Sequence, residues 1–329
     1  MQLLSEAAFQ KHLAFIQQEI DDQDIIIDIQ ERRIAAAAGQ EKAESRDAEN
    51  EKRKAKIKKQ CLTTFLQEIK PQWSCAKSRI LGHVKFSPKI VVGAGNPAQQ
   101  FTQDIAVFEI ESSKINPANF PGNFIDLGMK YSSVELIRKL HLNPVDSGHL
   151  ISPGDRLLRL WGTIPMEEMR NPTMPDQNGN PCITVLKRGG TTNVTMGQVL
   201  TVIAYVRKYV TEHDTAVSKE LAVIPLDKKS GPFSAKGDSG AVVVDGIGRI
   251  AGILTGGAGA TDSSDVTYVT PIHFVLEAIH QCEALADAFI KNAQPTKVRR
   301  GGPKKWWLWL VDLLFRFILF QSHPLLHAH

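Results

Sequence analysis

The chain has 329 residues, 43% of them hydrophobic, enough to bury a sizeable core with room for one or two domains. Its net charge of +4 is mild and dispersed, and no basic run is interleaved with aromatics, which excludes an electrostatic nucleic-acid surface. The four cysteines, Cys61, Cys75, Cys182 and Cys282, include no C-x-x-C pair, which excludes a cysteine metal site and a disulfide framework; no metal or cofactor is expected. The opening MQLLSEAAFQ has no basic stretch followed by an apolar core, so no secretory signal is read and an intracellular, cytoplasmic setting is expected.

Residues 1–72 read as helix. Leu13, Ile16, Ile20, Ile27 and Ile34 fall on heptad spacing, with Gln23 and Gln30 at two of the inner positions. Gly39 breaks the pattern, residues 40–60 are almost all charge and alanine, and Leu62, Phe65 and Ile69 resume an apolar stripe that Pro71 is expected to stop. This predicts a helical hairpin or short coiled-coil arm, either a spacer or a surface for self-association.

Residues 73–290 change character. RILGHVKF, IAVFEI, LLRLWGTI, ITVLKR, AVVVDG, RIAGILTG and VTYVTPI are separated by Gly, Pro, Asn and Asp, which predicts a mainly β barrel or sandwich. Phe274, Ile279, Leu285 and Phe289 then fall at helical spacing and predict a closing helix. KRGGTTNVTMG, residues 187–197, reads as a glycine-rich turn and strand. It lacks the Gly-Lys-Ser/Thr ending and following helix of a phosphate cradle.

Residues 291–329 form a basic and then apolar tail. Lys297, Arg299, Arg300, Lys304 and Lys305 precede WWLWLVDLLFRFILF, whose 15 residues fall short of a bilayer span of about 20. Asp312 and Arg316, one turn apart, can pair on one face. Residues 305–320 therefore suit peripheral contact with a membrane surface. Docking on the chain's own β domain, or out-of-frame or intronic translation, are the alternatives.

The chemistry centres on SAKGDSGAVVV, residues 234–244. A serine hydroxyl is a weak nucleophile until a base takes its proton. Small residues around Ser239 let the N–H groups of Gly237 and Ser239 point into one spot. Such an oxyanion hole is worth about 3–4 kcal/mol per donor in the transition state. Gly-Asp-Ser-Gly alone also describes an ordinary β-turn. GILTGG follows at Gly252, then VTYVTPI and the closing helix.

That succession resembles the second barrel of trypsin-like proteases, and FTQDIAVFEI resembles their Asp-Ile-Ala-Leu strand, which would make Asp104 the triad acid. The order Asp before Ser fits as well. RILGHVKFSPKI, FPGNFIDLG, LKRGGTTNVTMGQV and FSAKGDSGAVVVDGIGRIAGILTGGAG together are similar to a group of intracellular fungal trypsin-like peptidase domains, over residues 3–290. The helical start resembles an insertion in that group. The resemblance implies a trypsin-like double β-barrel with an N-terminal helical arm and a C-terminal helix. It implies Ser239 as nucleophile, Asp104 as orienting acid, and Gly237 with Ser239 as oxyanion hole. It also places Phe233 at the base of the substrate pocket, with Thr255, Gly256 and Gly257 along its wall. Phe233 is not an acid, so nothing points to cleavage after Lys or Arg, and the open wall favours apolar side chains.

The base is harder to find. His83 in LGHVKF precedes Asp104, but the group's base lies upstream of the helical insertion, and this chain opens with the insertion. Before Asp104 only RILGHVKF and a short KIVV read as strand. An incomplete first barrel follows, and the base is either His83 or a histidine that this chain lacks; without a base the rate falls by orders of magnitude. His12, His141, His149, His273, His280, His323, His327 and His329 are expected in surface or packing roles. The competing functions are a serine endopeptidase acting on a polypeptide, a non-catalytic peptide-binding relative, and a membrane-surface adaptor.

Overall fold

The computed structural model describes residues 5–36, 42–111, 113–114, 122–128, 130–140, 156–175, 179–209, 215–227, 229–259 and 266–285. Gly39, His141, His149, Phe289 and the whole basic–apolar tail lie outside the described residues. The chain divides into two compact units, residues 1–82 and 83–329. No described helix is long and apolar enough to cross a membrane.

The first unit is an antiparallel hairpin of α1 (Glu6–Ala36) and α2 (Lys42–Trp73). Ile16, Ile20, Gln23 and Ile27 form the buried seam of α1, joined by Phe9, and α2 faces it with Ala48 and Ala55. Small alanines let two long helices approach closely. Lys58–Glu19 at 2.9 Å and Lys52–Glu31 at 2.8 Å flank the seam. Pro71 does not stop α2, which runs two residues further to Trp73. Pro71 cannot donate to the Gln67 carbonyl, and the helix continues only two residues past that missing bond. Arg79, fully buried, then donates to the carbonyls of Trp73 at 2.5 Å and Ser74 at 3.1 Å, pairs with Glu6, and lies 4.6 Å over the Phe9 ring.

The second unit is mainly β. It contains β1 (Gly82–Phe86), β2 (Val91–Ala94), β3 (Phe101–Gln103), β4 (Val107–Ile110), β5 (Phe124–Asp126), α3 (Ser133–Lys139), β6 (Leu157–Arg159) and α4 (Met166–Arg170). These are followed by β7 (Ile183–Gly189), β8 (Asn193–Tyr209), β9 (Thr215–Pro225), β10 (Val242–Asp245), β11 (Ile250–Ala258), β12 (Val266–Pro271) and α5 (Ile272–His280). The last six strands close into an antiparallel barrel in the order β10-β11-β12-β9-β8-β7. The earlier strands form three two-stranded sheets, β1-β4, β2-β3 and β5-β6, with no second closed barrel among the described residues.

Two apolar clusters explain the barrel's sequence. Val185, Val223, Val243, Leu254 and Val269 pack in one; Leu186, Val242, Val244, Ile250 and Ile253 pack with Ile272, Val275 and Ile279 of α5 in the other. Strand β10 is covered on both faces, hence the unbroken AVVV run. The closing helix is shorter than expected. It ends at His280, and Leu285 lies in a 3-10 turn beyond it.

Candidate active site

Ser239 sits on the turn between β9 and β10, exposed to solvent. Gly237 and Gly240 have φ of +97° and +86°, a left-handed backbone that favours glycine at both positions. A side chain at Gly237 would also meet Oγ1 of Thr191 at 2.6 Å. The amides around the serine alternate in use. Asp238 N–H donates to Ala235 O at 3.0 Å, Gly240 N–H to Leu254 O at 2.8 Å and Ala241 N–H to Asp238 O at 3.1 Å. Among the described residues, neither Gly237 N–H nor Ser239 N–H donates to a backbone carbonyl. Two unspent donors beside one exposed hydroxyl are the elements of an oxyanion hole.

The turn is held from beneath by Asp238, 1% exposed. Its Oδ1 accepts from Thr191 N–H at 2.7 Å and Thr192 N–H at 3.2 Å. Its Oδ2 accepts from Lys187 Nζ at 2.9 Å, Thr192 Oγ1 at 2.6 Å and Ala235 N–H at 3.1 Å. Lys187 is itself fully buried, donating also to Thr192 Oγ1 and lying 5.8 Å over the Phe233 ring. Burial opposes the charge on Asp238, but the Thr192 hydrogen bond, the Lys187 charge and the Thr191 amide outweigh it and hold the carboxyl below the usual carboxylate range. A Cβ at Gly189 would overlap the Asp238 carboxylate, so the glycines of KRGG make room for the ion pair. Neither Lys187 nor the Thr191–Thr192 pair was expected as part of the site. The signal lay in strand parity: in Ile183-Thr-Val185-Leu-Lys187, the lysine follows the inward-facing positions.

The other expected residues fall in different places. Thr255, Gly256 and Gly257 lie on β11 next to the serine turn, linked to it through the Gly240–Leu254 and Leu254–Ala241 backbone bonds. Thr255 Oγ1 donates to Tyr268 O at 3.2 Å, and a side chain at Gly256 would meet open space. Strand β10 pairs with β11 only as far as Ile253, so beyond it one edge of β11 faces no described strand. Phe233 is fully buried in the barrel cluster, and its carbonyl accepts from Thr195 Oγ1 at 2.6 Å.

Asp104 follows β3, half-buried, and β3 is anchored to the same barrel through Thr102, whose N–H donates to Glu220 on β9 at 3.1 Å. His83 makes no hydrogen bond to Ser239 among the described residues. Its imidazole, 67% exposed on β1, lies 3.6 Å from Glu109 of β4, a carboxylate that also holds Lys85 at 2.8 Å. His273 packs edge-on against Phe101 at 5.9 Å, half-buried, and burial lowers its pKa. The hydroxyl of Ser239 has no hydrogen-bond partner among the described residues.

No family profile and no curated protein sequence matches the chain. Solved structures do match. Against Cellulomonas bogoriensis chymotrypsin the chain is 17% identical over 37% of its own length and 53% of that chain, with a TM-score of 0.25. Against a glutamic acid specific serine protease that uses a histidine triad in substrate binding, the values are 14% identity, 60% and 97% coverage and a TM-score of 0.29. Against the active form of an M. tuberculosis protease they are 15%, 43%, 53% and 0.25. The chain spans about half the length of the first and last of these.

Proposed function

We propose that the second unit is a trypsin-like serine endopeptidase domain with a built oxyanion turn and no histidine poised at its nucleophile. Ser239 Oγ attacks the carbonyl carbon of a peptide laid along the free edge of β11. The oxygen that becomes negative is received by Gly237 N–H and Ser239 N–H, and the proton lost by the Ser239 hydroxyl passes through solvent water to the leaving amine as the C–N bond breaks. Water then hydrolyses the acyl-serine ester. Asp104 would orient an imidazole, and His83, engaged with Glu109, does not supply one. Turnover of the chain by itself is therefore slow. The observation that carries this is the pair of unspent amides flanking an exposed serine, fixed by the buried Asp238.

Labelling with a fluorophosphonate probe, followed by intact mass, tests it. Slow single labelling of the wild type, lost in Ser239→Ala and retained in His83→Ala, is the expected result. Labelling that survives Ser239→Ala sinks it.

A second function, a peptide-binding module without turnover, draws support from the placement of His83 on Glu109. It expects peptide binding of equal strength in wild type and Ser239→Ala, with no covalent adduct in either.

A further inference from the structure

Strand β3 leads directly into Asp104, and beside the Lys219 N–H to Gln100 O bond at 2.7 Å one buried carboxyl group ties it to the barrel. Glu220, on β9, is 2% exposed and forms no ion pair among the described residues. Its Oε1 accepts from Thr102 N–H at 3.1 Å, and its Oε2 lies 3.0 Å from Oγ1 of Thr270 on β12. The same Thr270 hydroxyl lies 3.4 Å from Thr102 O. The hydroxyls of Thr102 and Ser218 also surround the carboxyl, yet neither has the geometry of a hydrogen bond to it. Burial, the largest influence, pushes the Glu220 pKa up against the pull of Thr102, Thr270 and Ser218.

Among the described residues no positively charged neighbour offsets that burial. Lys219 sends its Nζ to Pro97 O at 2.8 Å and over the Tyr205 ring. Arg207 of β8 is exposed. On α5, His273 packs on Phe101 and Glu277 accepts from Gln99 Nε2 at 2.5 Å. Asp104, half-buried just past β3, carries a negative charge and offers no compensation either. Strands β2 and β12 bring no charged side chain.

We propose that Glu220 is a proton-loaded latch and positioning residue. Its neutral O–H donates to Thr270, Thr270 donates to Thr102 O, and Thr102 N–H donates back to Glu220, closing a ring that grips both backbone groups of the strand leading to Asp104. Ionisation removes the only donor on the carboxyl. Thr270 must then turn towards the carboxylate, Thr102 O loses its partner, and a buried negative charge is left without a cation. The sign follows from linkage. A carboxyl whose folded pKa is raised stabilises the docked strand below its unfolded pKa, and that contribution is lost as pH rises through the folded value. The consequence for Asp104 rests on the endopeptidase proposal; the latch does not.

Hydrogen exchange read by mass spectrometry on the full chain, between about pH 5 and 8.5 and corrected for intrinsic rates, tests it. Protection of residues 99–106 relative to β10 is expected to fall with pH in the wild type, by up to about tenfold per unit, the slope of one proton. In Glu220→Gln the amide reproduces the ring without titrating, and protection should stay flat. Parallel pH profiles for the two proteins, or free exchange of the segment in Glu220→Gln at every pH, would overturn the latch. Should Glu220→Gln fail to fold, Thr270→Val removes the relay. Its protection at low pH should fall to the wild-type level at high pH, and unchanged protection counts against the proposal. A wild type that never takes the fluorophosphonate probe sinks the endopeptidase proposal and leaves the exchange profiles readable.

Discussion

Lys187 is an ammonium group fully enclosed beside a barrel core, and a charge in that place needs its partner. Removing one member of a buried pair leaves the other uncompensated and costs about 3–5 kcal/mol, whereas removing both together is often near neutral. Lys187→Met should therefore lower the urea midpoint sharply, and Lys187→Met with Asp238→Asn should recover most of the loss. The double variant keeps the fold but lacks the charged acceptor for the Thr191, Thr192 and Ala235 amides. If that acceptor keeps the serine turn in register, probe labelling of Ser239 falls on the order of a hundredfold, the scale of one lost oxyanion donor. A double variant as unstable as the single one would refute the ion-pair account. The serine turn itself was legible in the sequence, because Gly237 and Gly240 mark positions that demand left-handed backbone. Lys187 was not, since LKRGG at a strand end reads as solvent-facing until the closed barrel shows which parity points inward. Glu220, in SKELAV, escaped for the same reason.

At the scale of the element, the α1 seam followed its heptad spacing, and the polar intruder it predicted is there. Gln23 is buried between Ile20 and Ile27, and among the described residues its one side-chain bond is a long 3.4 Å contact to Glu19 O. A polar residue at an inner position specifies register at a cost in stability. Gln23→Leu should thus raise the helical melting midpoint, by an amount on the order of 1 kcal/mol for an apolar group replacing a poorly bonded amide. Circular dichroism at 222 nm measures this, and a lowered midpoint would mean the amide makes a better contact than its geometry shows. Among the strands, β10 and β12 were readable because β-branched runs bounded by turn residues have few alternatives. The β8–β9 hairpin was largely hidden. Val202 and Tyr205 on β8 are strongly exposed, and the Lys, Glu, Leu and Ala of β9 favour helix locally until cross-strand pairing overrides them.

Across the whole molecule, long-range topology decided what local pattern could not. Ser239 and the β11 edge come together because neighbouring segments of one barrel carry them. The place of His83 depended on which strand β1 would pair with, and that strand is β4, with Glu109 opposite. The two units should also answer differently to solvent. The helical hairpin carries ion pairs open to water, such as Lys58–Glu19 and Lys52–Glu31, each worth about 0.2–1 kcal/mol and screened by salt. The β unit's decisive charges are buried. Asp238, held below the usual range, stabilises above its unfolded pKa, and that contribution is lost as pH falls through its folded value. Glu220 and Asp245 are both pushed up, chiefly by burial, and their contributions are lost as pH rises through theirs. Stability of the β unit should therefore decline on both sides of a maximum in weakly acid solution. Calorimetry from about pH 3 to 9, at about 0.05 and 0.5 M salt, should show a helical transition that shifts with salt and a β transition that shifts with pH. The alkaline decline should shrink in Glu220→Gln. One transition moving with salt and pH together would mean that the units unfold as one, and an undiminished alkaline decline in Glu220→Gln would assign it to Asp245.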